Sequence, residues 1–186
     1  MSVSDQDIIQ AVQANPDKGF RLLLSCYEKK IYWHVRRIVV AHQDAEDVTQ
    51  EVFIRIFRSW SNFRGDSLLS TWIYRIATNE SLRFLNQKEN QQVSLDDVTG
   101  NGFDIMADEF VDYSDLEAVR LQQAIHSLPT KQQLTFNLRY YDDLSYEDIA
   151  QVTETNPSTA RVNYHVAKEK IIQYMNQNTL NNETAI

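Results

Sequence analysis

The hydrophobic and polar residues of the chain alternate with the period of an α-helix through most of its length. After Asn15-Pro16, a cap residue followed by proline at the first helical position, apolar residues recur at spacings of three and four, which is typical of one buried helix face. These residues are Phe20, Leu23, Leu24, Tyr27, Ile31, Val35 and Ile38. The pattern predicts a long helix from residue 16, preceded by a short helix near residues 4–14.

Two further helices are predicted in the first half of the chain. One begins near Asp44, a good cap residue, and buries apolar residues at a spacing of four, namely Val48, Val52, Ile56 and Trp60. The next begins near Ser67 and buries Leu69, Ile73, Ile76 and Ala77. Together with the helices before them, they make the first of two compact helical units.

Capping signals define the helices of the second half. Capping-box patterns begin at Thr130 and Ser145, and Asn156-Pro157 is again a cap followed by proline. The predicted helices span 115–127, 131–140, 146–153 and 157–174. A short helix, a tight turn and a longer helix form the helix-turn-helix motif. We therefore expect an all-α fold of two small domains, the C-terminal one a helix-turn-helix.

Composition narrows the class of protein further. The 186 residues include four Gly and three Pro, too few for turn-rich sandwiches or barrels. No apolar run reaches the roughly 18 residues of a transmembrane helix, and the N-terminus lacks the regions of a signal peptide. Cys26 is the single cysteine, which excludes an internal disulfide and a Cys-rich zinc site. We expect a cytoplasmic protein without a cofactor.

Nearly all of the net charge of −8 lies in one segment. Residues 91–116 carry seven acidic side chains and no basic one, and they show no sustained apolar period. This composition predicts an acidic linker between two domains. The expected organisation is a first domain over 1–90, a linker over 91–114, a second domain over 115–175 and a polar tail over 176–186.

One surface of the third predicted helix is not explained by packing. This acidic face consists of Asp44, Asp47, Gln50, Glu51 and Ile54. Acidic residues near a helix N-terminus also suit a solvated helix, but an apolar residue within a charged stripe suits a partner surface better. No Glu-x-x-His pair lies on a helix, so we expect no metal site.

A second surface combines aromatic and basic residues. A polar stripe on the fourth helix consists of Trp72, Arg75, Asn79 and Arg83, and the loop before it contributes Trp60, Asn62, Phe63 and Arg64. Aromatic rings stack on unpaired bases, while Arg contacts phosphate and Asn a base edge. This combination favours single-stranded nucleic acid as the ligand. The alternative is that the aromatic residues fill the core and the stripe faces solvent.

The last predicted helix presents a third surface. Its outward residues form the recognition face, which consists of Ser158, Thr159, Arg161, Val162, Asn163, His165 and Lys168. A recognition helix offers such N-terminal residues to the major groove of DNA. Outside a helix-turn-helix, the same residues would indicate only a solvated helix face.

These segments together resemble bacterial alternative sigma factors of the extracytoplasmic function group. The similarity covers roughly residues 18–88 and 115–172. D-A-E-D-x-x-Q-E-x-F from Asp44 to Phe53 is similar to the polymerase-binding segment of that family, and N-F-R-G-D-S-L-L-S-T-W-I-Y-R-I-A-T-N from Asn62 to Asn79 to its promoter-melting segment. A third similarity is to the −35-binding domain of the family. It lies in S-L-P-T-K-Q-Q and L-R-Y-Y-D-D-L-S-Y-E-D-I-A, within Ser127 to Ala150, and in S-T-A-R-V-N-Y-H-V-A-K from Ser158.

The resemblance implies a partner for each surface. The acidic face would dock on the coiled coil of the polymerase β′ subunit, the loop and polar stripe would capture the melted −10 strand, and the recognition face would enter the −35 major groove. The linker would run inside the polymerase. The implied partners are core RNA polymerase, including its β flap, promoter DNA and a membrane-bound anti-sigma factor. Neither catalysis nor a small-molecule substrate is implied.

One departure from the family concerns the turn of the helix-turn-helix. The family usually has glycine there, where this chain has Glu154. A non-glycine residue with positive φ costs about 1 kcal/mol, which a folded domain tolerates.

Two alternative functions remain open at this stage. A sigma mimic would bind an anti-sigma protein in place of promoters, which the thinly basic recognition face favours. The intact melting segment argues against it, because a decoy has no need of base-capturing residues. A helix-turn-helix repressor would have no need of the acidic face.

Overall fold

A computed structural model of the chain describes residues 3–93 and 116–183, and within them every regular element is a helix. They are α1 (Asp5–Ala14), α2 (Pro16–Val39), α3 (His42–Ser59), a 3-10 helix (Trp60–Asn62), α4 (Leu69–Val93), α5 (Leu116–His126), α6 (Thr130–Tyr140), α7 (Tyr146–Val152) and α8 (Pro157–Glu183). The all-α prediction is confirmed. The chain divides into two compact units, residues 1–96 and 97–186.

The first unit is a four-helix arrangement in which α2 packs against α1, α3 and α4. Its fully buried apolar side chains come from all four helices: Ile8, Leu23, Ile31, Val35, Val52, Ile56, Leu69 and Ile73. α1 begins with a capping box between Ser4 and Asp7, whose hydrogen bonds from the serine hydroxyl and backbone hold the pKa of the Asp7 carboxyl below its usual range. Asn15 caps α2 by accepting from the Lys18 N–H, as predicted.

α3 begins two residues before the predicted cap. The helix starts at His42, and Ala41 at the cap position makes no side-chain hydrogen bond. Asp44 lies in the first turn instead, and its carboxylate pairs with Lys88 of α4 at 2.7 Å. This tertiary ion pair competes with the local capping role that the sequence predicts.

The predicted core of the first unit needs four corrections at its edges. Leu24 is exposed, while Phe20, Ile76 and Trp60 are only half-buried. Trp60 belongs to the 3-10 helix that follows α3, so its ring leaves the phase of the α-helical stripe. α4 also begins at Leu69 and not at Ser67.

In the second unit α8 packs against α5, α6 and α7. Ala160 and Ala167 of α8 are completely buried, and Ile171 is buried beside them. Ser145 caps α7 by accepting from the Asp148 N–H, and Asn156 caps α8 by accepting from the Thr159 N–H at 2.8 Å. The predicted cap at Thr130 is wrong, because α6 starts at that residue and Pro129 is the cap.

The turn between α7 and α8 has the backbone expected of a helix-turn-helix. Glu154 adopts φ 53°, in the left-handed region that favours glycine. A backbone hydrogen bond from the Thr155 N–H to the Ala150 carbonyl closes the turn at 2.9 Å. The chain therefore keeps the turn geometry without the usual glycine.

α8 extends to Glu183, beyond the predicted end at residue 174. Tyr174 and Met175 pack against the cluster that includes Ala124, Ile125 and Ile171, and this contact supports the added turns. Residues 91–93 of the predicted linker belong to α4. Residues 94–114 and 184–186, parts of the predicted linker and tail, lie outside the described residues. No helix in the described ranges is both long and apolar enough to cross a membrane.

Candidate functional site

The structure places the acidic face on the outside of the first unit. Asp47, Gln50 and Glu51 are exposed, and the Ile54 side chain keeps 40% of its surface open to solvent. The opposite side of α3 is buried through Val48, Val52 and Ile56, so helical phase forces these residues outward. Asp44 differs, because it is half-buried and paired with Lys88.

A buried carboxylate that the sequence analysis missed connects α3 with α4. Glu80 is 7% exposed, and its side chain pairs with Arg55 of α3 at 2.7 Å and with Arg83 one turn further along α4. Arg83, which is predicted to contact nucleic acid, shares the Glu80 carboxylate with Arg55. The i, i+3 spacing of Glu80 and Arg83 is visible in the sequence, whereas the Arg55 contact is tertiary.

Rings from the region after α3 and from the helices around it form an aromatic cluster, which consists of Phe20, Phe57, Trp60, Phe63 and Trp72. Ring centroids lie 5.3 Å apart for Phe20 and Trp60, 5.8 Å for Trp60 and Phe63, and 5.2 Å for Phe63 and Trp72. Offset and edge contacts at such distances are favourable. The rings therefore pack on one another, and Trp60, Phe63 and Trp72 remain only half-buried.

Exposed residues border the aromatic cluster. Asn62 and Arg64 are exposed in the loop, where Gly65 turns the chain with φ 78°. Phe57 and Leu68 are 58% and 60% exposed, and no motif in the sequence indicates that either residue belongs to a binding surface. Large apolar side chains open to solvent beside partly exposed aromatic rings suit the binding of flat, partly apolar ligands such as bases.

The polar stripe continues from the aromatic cluster along α4. Arg75, Asn79 and Arg83 are exposed, whereas Ile73 and Ala77 on the other side are buried. The loop residues and the polar stripe thus lie on one continuous surface of the first unit. Rings, an exposed amide and a guanidinium follow one another there, as single-strand binding requires.

The recognition face lies on the exposed side of α8. Its residues are exposed except for Asn163, which is half-buried, and Val162 keeps 59% of its surface open. The Arg161 guanidinium lies 5.2 Å from the centroid of the Tyr146 ring, and Arg139 lies 5.3 Å from the same ring. Tyr146 thus orients two cations beside the helix-turn-helix, of which only Arg161 was predicted.

The exposed groups on these three surfaces are of types that suit binding. Among residues 3–93 and 116–183, no group of three or more His, Cys, Asp and Glu side chains could hold a metal ion. The exposed carboxylates of α3 suit a basic partner, the rings and Arg75 suit unstacked bases, and the recognition face suits a DNA groove.

Comparison with protein families and characterised relatives gives consistent matches in both units. The model of Sigma-70 region 2 matches residues 23–91, and that of Sigma-70, region 4 matches residues 118–171. The RNA polymerase sigma-H factor of Pseudomonas aeruginosa is 35% identical over 176 residues, covering 90% of this chain and 91% of that protein. The ECF RNA polymerase sigma-E factor of Haemophilus influenzae is 33% identical over 180 residues, covering 91% and 94%.

Solved structures share the fold at lower sequence identity. The sigma factor RpoE of Bartonella quintana, in complex with the anti-sigma factor NepR, superposes with a TM-score of 0.70 at 19% identity, covering 86% of this chain and 98% of that one. CnrH, in complex with the cytosolic domain of CnrY, superposes with a TM-score of 0.69 at 18% identity, covering 91% and 95%.

Proposed function

The chain belongs to the extracytoplasmic function sigma factors, alternative sigma factors that bind core RNA polymerase and direct promoter-specific transcription initiation, and from this premise we propose which surface carries each step. The proposed domains are 1–90 for polymerase binding and −10 recognition and 115–175 for −35 recognition, with 91–114 running inside the polymerase. The chain itself would be without catalytic activity and would act in the cytoplasm.

We propose that the acidic face docks on the coiled coil of the polymerase β′ subunit. Asp47 and Glu51 are exposed carboxylates one helical turn apart, and the exposed Ile54 offers an apolar contact on the same side. Desolvated apolar contact with charged residues around it is the usual anatomy of a protein interface. Asp44 contributes indirectly, by tying the start of α3 to Lys88.

The loop and the polar stripe would capture the melted −10 strand. The observation that carries this proposal is the half-buried aromatic cluster, continuous with exposed Arg75 and Asn79 on α4. Rings fixed by mutual packing give unstacked bases a surface on which to stack. Arg83 would contact the same strand with a guanidinium that Glu80 holds in place.

Asn79→Ala is expected to impair promoter opening while leaving the fold intact. The Asn79 side chain is exposed, so its loss should change the free energy of unfolding by no more than about 0.5 kcal/mol. Open-complex formation on duplex templates, and on a template already melted at the −10 element, measures the effect, which should be larger on duplex. Gln13→Ala, which removes an exposed amide side chain from α1, is the matched control. Normal opening by Asn79→Ala and Arg75→Ala alike would mean that the polar stripe is merely solvated.

The recognition face would enter the −35 major groove. This assignment can also be tested on the protein free of polymerase. The isolated protein is expected to bind duplex DNA weakly, because a net charge of −8 and few cations on α8 release few counterions. Tethering to polymerase would raise the effective concentration. Electrophoretic mobility shifts of promoter duplex with and without core polymerase measure this. Tight, specific binding by the protein alone would instead support a helix-turn-helix repressor.

An anti-sigma factor is a further proposed partner. Both solved structures reported above are complexes, one with an anti-sigma factor and one with the cytosolic domain of CnrY, which supports a similar regulator for this chain. A membrane-bound regulator would hold the protein away from polymerase until a signal releases it.

Reconstitution tests the proposed function as a whole. Purified chain and core polymerase should co-elute, and the complex should initiate at a defined start site on genomic fragments where core alone does not. Co-elution without initiation would favour a mimic that binds other partners.

A further inference from the structure

The first turn of α4 lacks a local cap at the residue before it. Leu68 directly precedes the helix, and its alkyl side chain cannot accept a hydrogen bond from the first-turn N–H groups, which need acceptors. The acceptor comes from a residue 65 positions away, since the Ser70 N–H donates to Asp5 Oδ2 at 3.1 Å. Asp5 is the first residue of α1.

The second oxygen of the Asp5 carboxylate also accepts a hydrogen bond. Its Oδ1 accepts from the Tyr27 hydroxyl, and burial, aided by this hydrogen bond and the Asp5 charge, raises the pKa of Tyr27 far above its ordinary value. The phenol therefore remains a donor. α1 is itself fixed against α2, because Ile8 and Val12 are buried and Gly19 allows the Val12 backbone to approach closely.

The capped turn joins two parts of the surface assigned to the −10 strand. Leu68 closes the loop that begins at Trp60, and its carbonyl accepts from the Trp72 N–H at 3.1 Å. A negative charge at a helix N-terminus also stabilises the helix dipole. Asp5 thus acts on the turn that connects the exposed Leu68 with Trp72.

We propose that Asp5 is a positioning residue for strand capture. Its carboxylate caps α4 from α1 and holds the turn between the aromatic cluster and the polar stripe in the geometry that receives the melted strand. This inference rests on the proposed function of that surface. It assigns α1, which neither the sequence motifs nor the family matches include, a role in promoter opening.

The test uses three variants in holoenzyme reconstituted from the full chain. Asp5→Ala removes the cap. Asp5→Asn keeps an acceptor, since Asn caps about as well as Asp. Asp7→Ala is the matched control, because Asp7 bonds only with Ser4 in its own capping box.

Two affinities are measured for each variant. One is the affinity for a fluorescent single-stranded oligonucleotide carrying the −10 element of a promoter used by the reconstituted holoenzyme, and the other is the affinity for core polymerase. We expect Asp5→Ala to weaken strand binding about threefold to thirtyfold, the range typical of a lost cap. Affinity for core polymerase should stay within about twofold. Asp5→Asn should weaken strand binding less than Asp5→Ala, because its amide oxygen can still accept from the Ser70 N–H although the Tyr27 hydroxyl loses its carboxylate acceptor. Asp7→Ala should behave as the unchanged protein does.

Hydrogen exchange gives an independent readout of the turn. Amides of residues 69–73 should exchange faster in Asp5→Ala than in Asp7→Ala, because the Ser70 N–H loses its acceptor. A merely structural loss of α1 would instead raise exchange throughout α2 as well.

The outcomes separate this inference from the function on which it rests. Unchanged strand binding in Asp5→Ala, or equal loss of strand and polymerase binding, would overturn the positioning role. If Asn79→Ala weakens opening while Asp5→Ala does not, only the positioning role fails. If Asn79→Ala and Arg75→Ala both open promoters normally, the strand surface itself is wrongly assigned.

Discussion

The double substitution of Asp47 and Glu51 by Arg, which reverses both charges, is expected to abolish binding of core polymerase while the helices stay folded. Both side chains are exposed on α3, so the cost to folding should stay within about 0.5 kcal/mol each. At an interface with a basic partner, juxtaposed like charges cost several kcal/mol. A loss of about 3 kcal/mol or more in binding would weaken the complex over a hundredfold.

A control variant with the same change in net charge separates the local effect from the global one. Asp17→Arg with Glu89→Arg alters two exposed residues of the same unit outside the acidic face. Size-exclusion co-elution and competition for core polymerase measure the affinities, and circular dichroism checks the helices. If the Asp47 and Glu51 double variant co-elutes as the unchanged protein does, the acidic face does not bind polymerase.

Gly19→Ala is expected to destabilise the first unit strongly, against the sign that helix propensity predicts. Gly to Ala inside a helix ordinarily stabilises by about 0.5–1 kcal/mol. Here an added Cβ would lie 2.3 Å from both Cα and N of Val12, and backbone atoms cannot yield as a flexible side chain can. α1 must move away, which exposes Ile8 and Val12 at a cost of about 1.5–3 kcal/mol for each fully buried side chain.

Chemical denaturation and limited proteolysis measure this second effect. A loss of roughly 3–6 kcal/mol should appear in the free energy of unfolding, together with faster cleavage within residues 5–14. Lys18→Ala, an exposed neighbour on α2, should be near neutral. A Gly19→Ala protein more stable than the original would show that α1 does not pack against α2 so closely.

Local sequence pattern, which includes helical periodicity and capping signals, was sufficient to predict the fold class and the caps at Asn15 and Ser145. It failed where a distant residue competes for a local group. Asp44 looked like a cap, but its carboxylate bonds with Lys88, 44 residues further along the chain. The contact that engages Asp44 is tertiary, and no local pattern contains it.

The same limit applies to the candidate site. Phase alone was sufficient to predict that Asp47, Glu51 and Asn79 face outward, because buried and exposed residues alternate regularly on α3 and α4. The ion pair of Glu80 with Arg55 and the hydrogen bond of Ser70 with Asp5 join helices that are far apart in sequence. These contacts decide which surface residues are free to act and which are held.

The mutual packing of the aromatic cluster links folding to ligand binding. Trp60, Phe63 and Trp72 give up their rotamer freedom when the first unit folds, since each ring contacts the others. A strand that stacks on them would order few further side chains. If bases stack on these rings, a substitution there that alters base preference would also disturb the packing of the domain. Exposed Asn62, Arg64 and Asn79 would then be the positions at which promoter preference can change without a loss of packing.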